Sequence, residues 1–154
     1  MIKKVFILLI VCAGLTGGYW FITNQPDPSI KSLPTVTAKI GGTETITLYA
    51  PESDEGIQKG LSVFKSLPDD HGMIFRGLPV GTQVFWMKNM QFDIAIIWVD
   101  KDNRIVHIVH AASKDSYPLK FQNPQNTTSA YVIELNAGMC EKKGIVPGGL
   151  VEIQ

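Results

Sequence analysis

The side chains best suited to chemistry fall in two short segments. Phe85-Trp86-Met87-Lys88-Asn89-Met90 sets two bulky apolar residues before a cation and an amide, and Asp93 follows just ahead of a strongly apolar stretch. Further on, Tyr131 to Asn136 alternates, so that Glu134 and Asn136 share the face opposite Tyr131 and Ile133. Two readings stand open. In the first, Trp86 and Met87 pack on a core, Asn89 makes a turn, and Lys88 pairs with Asp93 or Glu134. In the second, Trp86 is the apolar floor of a pocket on which Lys88, Asn89, Asp93, Glu134 and Asn136 converge, a mixture typical of ligand sites. Asp93 or Glu134 could also act as an acid or base in a hydrolase.

Other chemistries have weaker support. His107 and His110 are three apart on an expected strand, so they point to opposite faces and cannot share one ion without a bulge. His71 follows Asp69 and Asp70 in an expected turn. No multi-ligand spacing is present, and no metal or cofactor is expected. A Gly-x-Ser-x-Gly elbow is missing. Cys140 starts a short expected helix, where the dipole could activate it, but a small buried hydrophobe is the preferred role. Gly41-Gly42 lacks the helix and lysine of a phosphate loop. Asn126-Thr127-Thr128 marks an exposed loop. No residue is assigned as catalytic.

The elements that must position these groups are mostly strands. Thr35 to Ile40 and Thr43 to Tyr49 flank Gly41-Gly42, which reads as a two-residue hairpin turn. Ile46 and Leu48 share one face of the second strand and threonines the other, the pattern of a strand wet on one side. Pro51 to Leu61 reads as a short helix with acidic residues at its start. Met73 to Phe75 and Gln83 to Met87 read as strands. Ile94 to Val99 is apolar throughout and rich in β-branched residues, so it should be covered on both faces. After a turn at 100–103, Arg104 to His110 returns as a strand. Lys114 to Ser129 is the longest loop candidate, and long loops are often functional. Tyr131 to Leu135 is a strand, Ala137 to Lys143 a helix stopped by Gly144, and Leu150 to Ile153 a closing strand. The expected fold is mainly β (β-rich α+β), a compact barrel- or sandwich-like domain of short strands with one or two short helices.

The chain has 154 residues, one domain's worth. Residues 35–154 form that domain, 23–34 a Pro-rich linker, and 1–22 a signal peptide or transmembrane anchor. Lys3 and Lys4 precede 18 uncharged residues, Val5 to Ile22, just long enough to span a bilayer. Tyr19-Trp20-Phe21-Ile22 suits an uncleaved anchor at the membrane interface, while Gly17-Gly18 suits cleavage. Either way the charge order places the rest outside the cytoplasm, periplasmic or at the cell surface. Without Lys3 and Lys4, 12 of the 14 basic residues remain against 14 acidic ones, which is not a nucleic-acid-binding balance. Expected partners are therefore the membrane through residues 5–22 if uncleaved, and a small polar ligand, glycan or envelope protein. An accessory protein acting through the 114–129 loop is the alternative to such a binding module.

Several blocks together resemble one family. They are Gly60-Leu61, Gly72-Met73-Ile74-Phe75, Phe85-Trp86-Met87-Lys88-Asn89, Asp93-Ile94, Tyr131 through Gly138, and Gly144-Ile145 with Gly148-Gly149. Their order and spacing is similar to the domain of unknown function 192 family, small bacterial and archaeal proteins often carrying an export signal. The resemblance covers about residues 35–154. It implies a mainly β domain and no established activity. The chain departs from the family pattern at Ser62, Phe64, Met90 and Leu150. The usual Arg at position 64 and Asp at position 150 are absent, which implies an altered polar site or a lost ion pair.

Overall fold

The apolar run at 94–99 forms a strand in which every residue is buried. The computed structural model describes residues 33–42 and 44–154; the expected leader at 1–22 and nearly all of the 23–34 linker lie outside them. Among the described residues, no helix is long and apolar enough to cross a membrane.

Among the described residues nine strands follow in chain order: β1 (Thr35–Ile40), β2 (Ile46–Tyr49), β3 (His71–Phe75), β4 (Val84–Trp86), β5 (Ile94–Val99), β6 (Ile105–Ala112), β7 (Lys120–Gln122), β8 (Tyr131–Asn136) and β9 (Val151–Ile153). Seven of them make one sheet in the order β6-β5-β8-β3-β2-β1-β9, and β4 pairs with β7 in a separate ribbon. All pairings are antiparallel except β2 with β3. A parallel pair needs a crossover. Here it consists of α1 (Asp54–Lys59) and a 3₁₀ turn (Gly60–Val63). Ser53 caps α1 by accepting the Gly56 N–H at 3.1 Å, and Asp54 and Glu55 complement the helix start. The second helix, α2 (Met139–Lys143), ends at Gly144 in the left-handed region.

The sheet curls into a half-barrel whose two edges meet at one end. Arg104 and Leu150 form a bridge, and Ile105 N–H donates to Gly149 O at 2.9 Å while Gly148 N–H donates to Ile105 O at 2.7 Å. One face of the sheet lines the main core, with Ile74, Ala95, Ile97, Val99, Ile133 and Leu135 among its residues. The other face carries Met73, Phe75, Ile96, Trp98, Val132 and Glu134, all buried as well. Each fully buried Ile or Phe contributes roughly 1.5–3 kcal/mol. This second face is what the crossover and the β4 segment cover. The architecture is the β-rich α+β domain with two short helices that the sequence pattern predicts.

Two local expectations change. The Gly41-Gly42 turn is not a two-residue hairpin: the last β1–β2 pair is Ala38 with Ile46. Beyond it β1 serves β9 instead, with Ile40 opposite Val151 and Gly41 N–H donating to Leu150 O. The 114–129 segment is not wholly a loop, because β7 lies inside it. Asn123, fully buried, ties this segment down. Its Oδ1 accepts the Gln83 N–H at 2.8 Å and its Nδ2 donates to Thr127 O at 2.9 Å.

Candidate functional site

Glu134 sits mid-strand on β8, between Met73 on β3 and Ile96 on β5. Only 5 % of its surface is exposed. With apolar neighbours on both sides, burial pushes its carboxyl up to about 8. Among the described residues no hydrogen bond or ion pair reaches that carboxyl. It opens instead onto a cavity of ≈ 220 Å³.

Three elements wall this cavity. From β3 comes Phe75, from the crossover Gln58, Lys59, Gly60 and Leu61, and from β4 and the turn after it Phe85, Trp86, Lys88 and Met90. Phe85 packs edge-on against Phe75, ring centroids 5.1 Å apart, and against Trp98 at 6.3 Å. Trp98 is itself fixed by its indole N–H, which donates to Gln83 O at 2.9 Å. Gly60 comes close to the carboxyl: a Cβ there would lie 3.9 Å from Glu134 Oε2 and 3.3 Å from Phe75 Cζ. A second hollow, lined by Gln58, Lys59, Ser62, Trp86, Lys88 and Asn89, shares four residues with the first. The two make one cleft, with Glu134 in the inner hollow, Asn89 in the outer one and Lys88 lining both.

Of the six candidate residues, Trp86, Lys88 and Glu134 meet around one cavity, and Asn89 joins the outer hollow. Trp86 is not the floor. On β4 the central Phe85 is the more buried residue and Val84 and Trp86 are exposed, so Trp86 stands at the mouth, 44 % exposed. Met87 is the block's core residue, with no exposed surface. Asn89 makes a turn as expected. Its φ is 61°, a value asparagine tolerates, and Met90 N–H donates back to Met87 O at 3.3 Å. Lys88 projects from that turn and pairs with neither Asp93 nor Glu134.

Asp93 and Asn136 do not line the cleft. Asp93 Oδ1 accepts the Lys114 N–H at 2.8 Å, and its carbonyl accepts the Ala137 N–H at 3.2 Å. It thereby joins the ends of three segments. Asn136 shares the Glu134 face, but its Nδ2 donates to Leu67 O at 2.7 Å. The other reactive groups have local roles. His107 stacks on Trp98 with centroids 5.3 Å apart. His110 Nδ1 lies 2.8 Å from Glu141 Oε1. The Cys140 thiol is buried, and burial, aided by Glu141, pushes it up to about 12, the opposite of activation. At position 64, Phe64 is buried and packs on Tyr49 at 4.9 Å, so an aromatic contact fills that place.

Phe75, Phe85 and Gly60 complete the cleft, and no chemical property singled them out in the sequence. Only their position in the blocks at 60–61, 72–75 and 85–89 marked them.

The fold has solved counterparts. A protein from Sinorhizobium meliloti 1021, described as a "putative transcription regulator", superposes with a TM-score of 0.72 at 25% identity, covering 79% of this chain and 95% of that one. A protein of unknown function from Novosphingobium aromaticivorans DSM 12444 gives 0.62 at 30% identity, covering 78% and 84%. No curated protein matches the sequence. The profile of the DUF192 family, described as "Uncharacterized ACR, COG1430", matches residues 36–153, and the chain belongs to this family.

Proposed function

We propose that the domain is a small-ligand binding module of the cell envelope and that its ligand occupies the Glu134–Trp86 cleft. The observation that carries this reading is the carboxyl of the buried residue Glu134, which reaches the cleft and has no partner among the described residues. A carboxyl held in an apolar sheet face costs stability unless something completes its hydrogen bonding. Apolar walls with one or two polar groups are the usual composition of such sites. The charge order of the N-terminal segment supports an extracytoplasmic setting.

A hydrolase has less support. Glu134 is the single carboxylate among the described residues lining the cavity, and Asp93 is engaged elsewhere. An interface role has one specific point in its favour: Tyr117 and Leu119 are exposed, and Tyr117 stands beside Trp86 with ring centroids 6.4 Å apart. If protein capture were the output, replacing the exposed Leu119 by serine would weaken it without altering a cleft residue or its ring contact.

Thermal unfolding of the full chain against a library of small polar compounds tests the proposal. A ligand at 100 times its Kd adds about 2.7 kcal/mol of stability. The expected result is a compound that raises Tm by several degrees in the native chain and not in Trp86→Ala. Compounds acting equally on both proteins would count against the cleft.

A further inference from the structure

We infer that the cleft receives a primary ammonium group, with Glu134 as its counter-ion and Phe75, Phe85 and Trp86 as its aromatic surround. The inference rests on the small-ligand reading above and names the chemistry of the ligand's inner end.

Three observations lead there. Glu134 is aimed into the cavity, almost wholly buried, with no donor from the described residues. A neutral ligand amide would be served as well by a glutamine, which costs less to bury; only a cation draws full benefit from a carboxylate. The walls contribute three aromatic rings, whose quadrupoles favour a cation once water is displaced. Finally, no cation among the described residues pairs with that carboxyl. Lys59 Nζ is held 2.6 Å from Glu55 Oε1, and Lys88 is exposed at the mouth. The strands beside Glu134 offer no charge at the facing positions, which are Met73 and Ile96. Lys88 then repels a second cation at the mouth and suits a ligand whose outer end carries acceptors.

Binding of R–NH₃⁺ displaces the proton of the Glu134 carboxyl to solvent, one proton for one ligand. Below pH 8 the carboxyl is mostly protonated, so ammonium binding must strengthen as pH rises. The carboxylate fraction grows about 50-fold between pH 6 and pH 8. A simple amine, with a pKa near the lysine value of about 10.4, stays charged over that range. A neutral donor–acceptor ligand of the protonated acid would show the opposite trend.

The test follows the Trp86 indole N–H of ¹⁵N-labelled full-length chain by NMR during titration with n-butylammonium, 1-butanol and butanoate. The expected result is n-butylammonium affinity rising about 50-fold from pH 6 to pH 8, lost in Glu134→Gln, with butanoate inactive. Affinity that is flat or falls with pH overturns the inference, and this reading needs no variant to fold. If 1-butanol binds and n-butylammonium does not, the cleft is a ligand site but not a cation site. If none of the three moves Trp86 at any pH, both this inference and the small-ligand reading fall.

Discussion

Glu134 of β8 lies directly across from Ile96 of β5, a carboxyl and an aliphatic chain side by side on one buried sheet face. The pairing makes stability pH-dependent. The folded-state value, about 8, lies above the ordinary 4.5. The unfolded chain therefore loses this proton first, and ionisation favours unfolding between those two values. Glu134's contribution is fully present below pH 4.5 and is lost as pH rises to about 8. At 1.36 kcal/mol per unit the loss is up to about 5 kcal/mol. Urea midpoints at pH 5 and pH 8.5 measure it, and Glu134→Gln should remove most of the difference. An equal fall in the variant would assign the effect to other groups.

Lys88→Met should be nearly neutral for folding, within about 0.5 kcal/mol, because an exposed side chain with no ion pair among the described residues contributes little. Urea titration at pH 7 decides the point. A loss of several kcal/mol would mean that Lys88 satisfies a buried partner after all.

Asn123→Ala should cost about 2–3 kcal/mol. It removes the acceptor of the Gln83 N–H and the donor to Thr127 O, and a buried group left unmatched carries its full desolvation penalty. Faster hydrogen exchange at Gln83 would locate the damage. Slow exchange at that amide in the variant would show that another acceptor replaces Asn123.

Two glycines should respond differently to alanine. At Gly72 a Cβ would lie 2.6 Å from the Glu134 carbonyl oxygen and 2.6 Å from Leu135 Cδ2. Strands β3 and β8 cannot separate cheaply, so Gly72→Ala should cost 3 kcal/mol or more, roughly the upper range for overpacking. At Gly77 nothing among the described residues stands within 4 Å and only the positive φ of 76° is strained, so Gly77→Ala should cost about 1–2 kcal/mol. Comparable denaturation midpoints for the two variants would contradict this ranking.

Much of the fold was legible because it rests on local pattern. The run Ile94–Val99 predicts a doubly covered strand, and Tyr131 to Leu135 alternates as a strand should. The site was half legible. Trp86, Lys88 and Glu134 line one cavity because β4 and β8 border the same face. Asp93 and Asn136 share chemistry with them but are consumed by backbone partners at Lys114 and Leu67, and sequence alone does not reveal such partners. The depth of Trp86 is not legible in the sequence, because the two-residue period of so short a strand does not say which phase faces in. β7 was missed for a related reason: three residues in a polar stretch carry no usable period, and only pairing with β4 makes them a strand.

The seam between Arg104 and Leu150 bears on the order in which this chain can be finished during synthesis. β9 occupies one edge of the sheet, and its approach segment at 148–151 bonds to residues 103–105 and to Gly41. β1 therefore waits for β9, made later, before its outer edge is covered. A nascent domain lacking residues 148–153 keeps two strand margins bare, and such margins invite pairing with other chains.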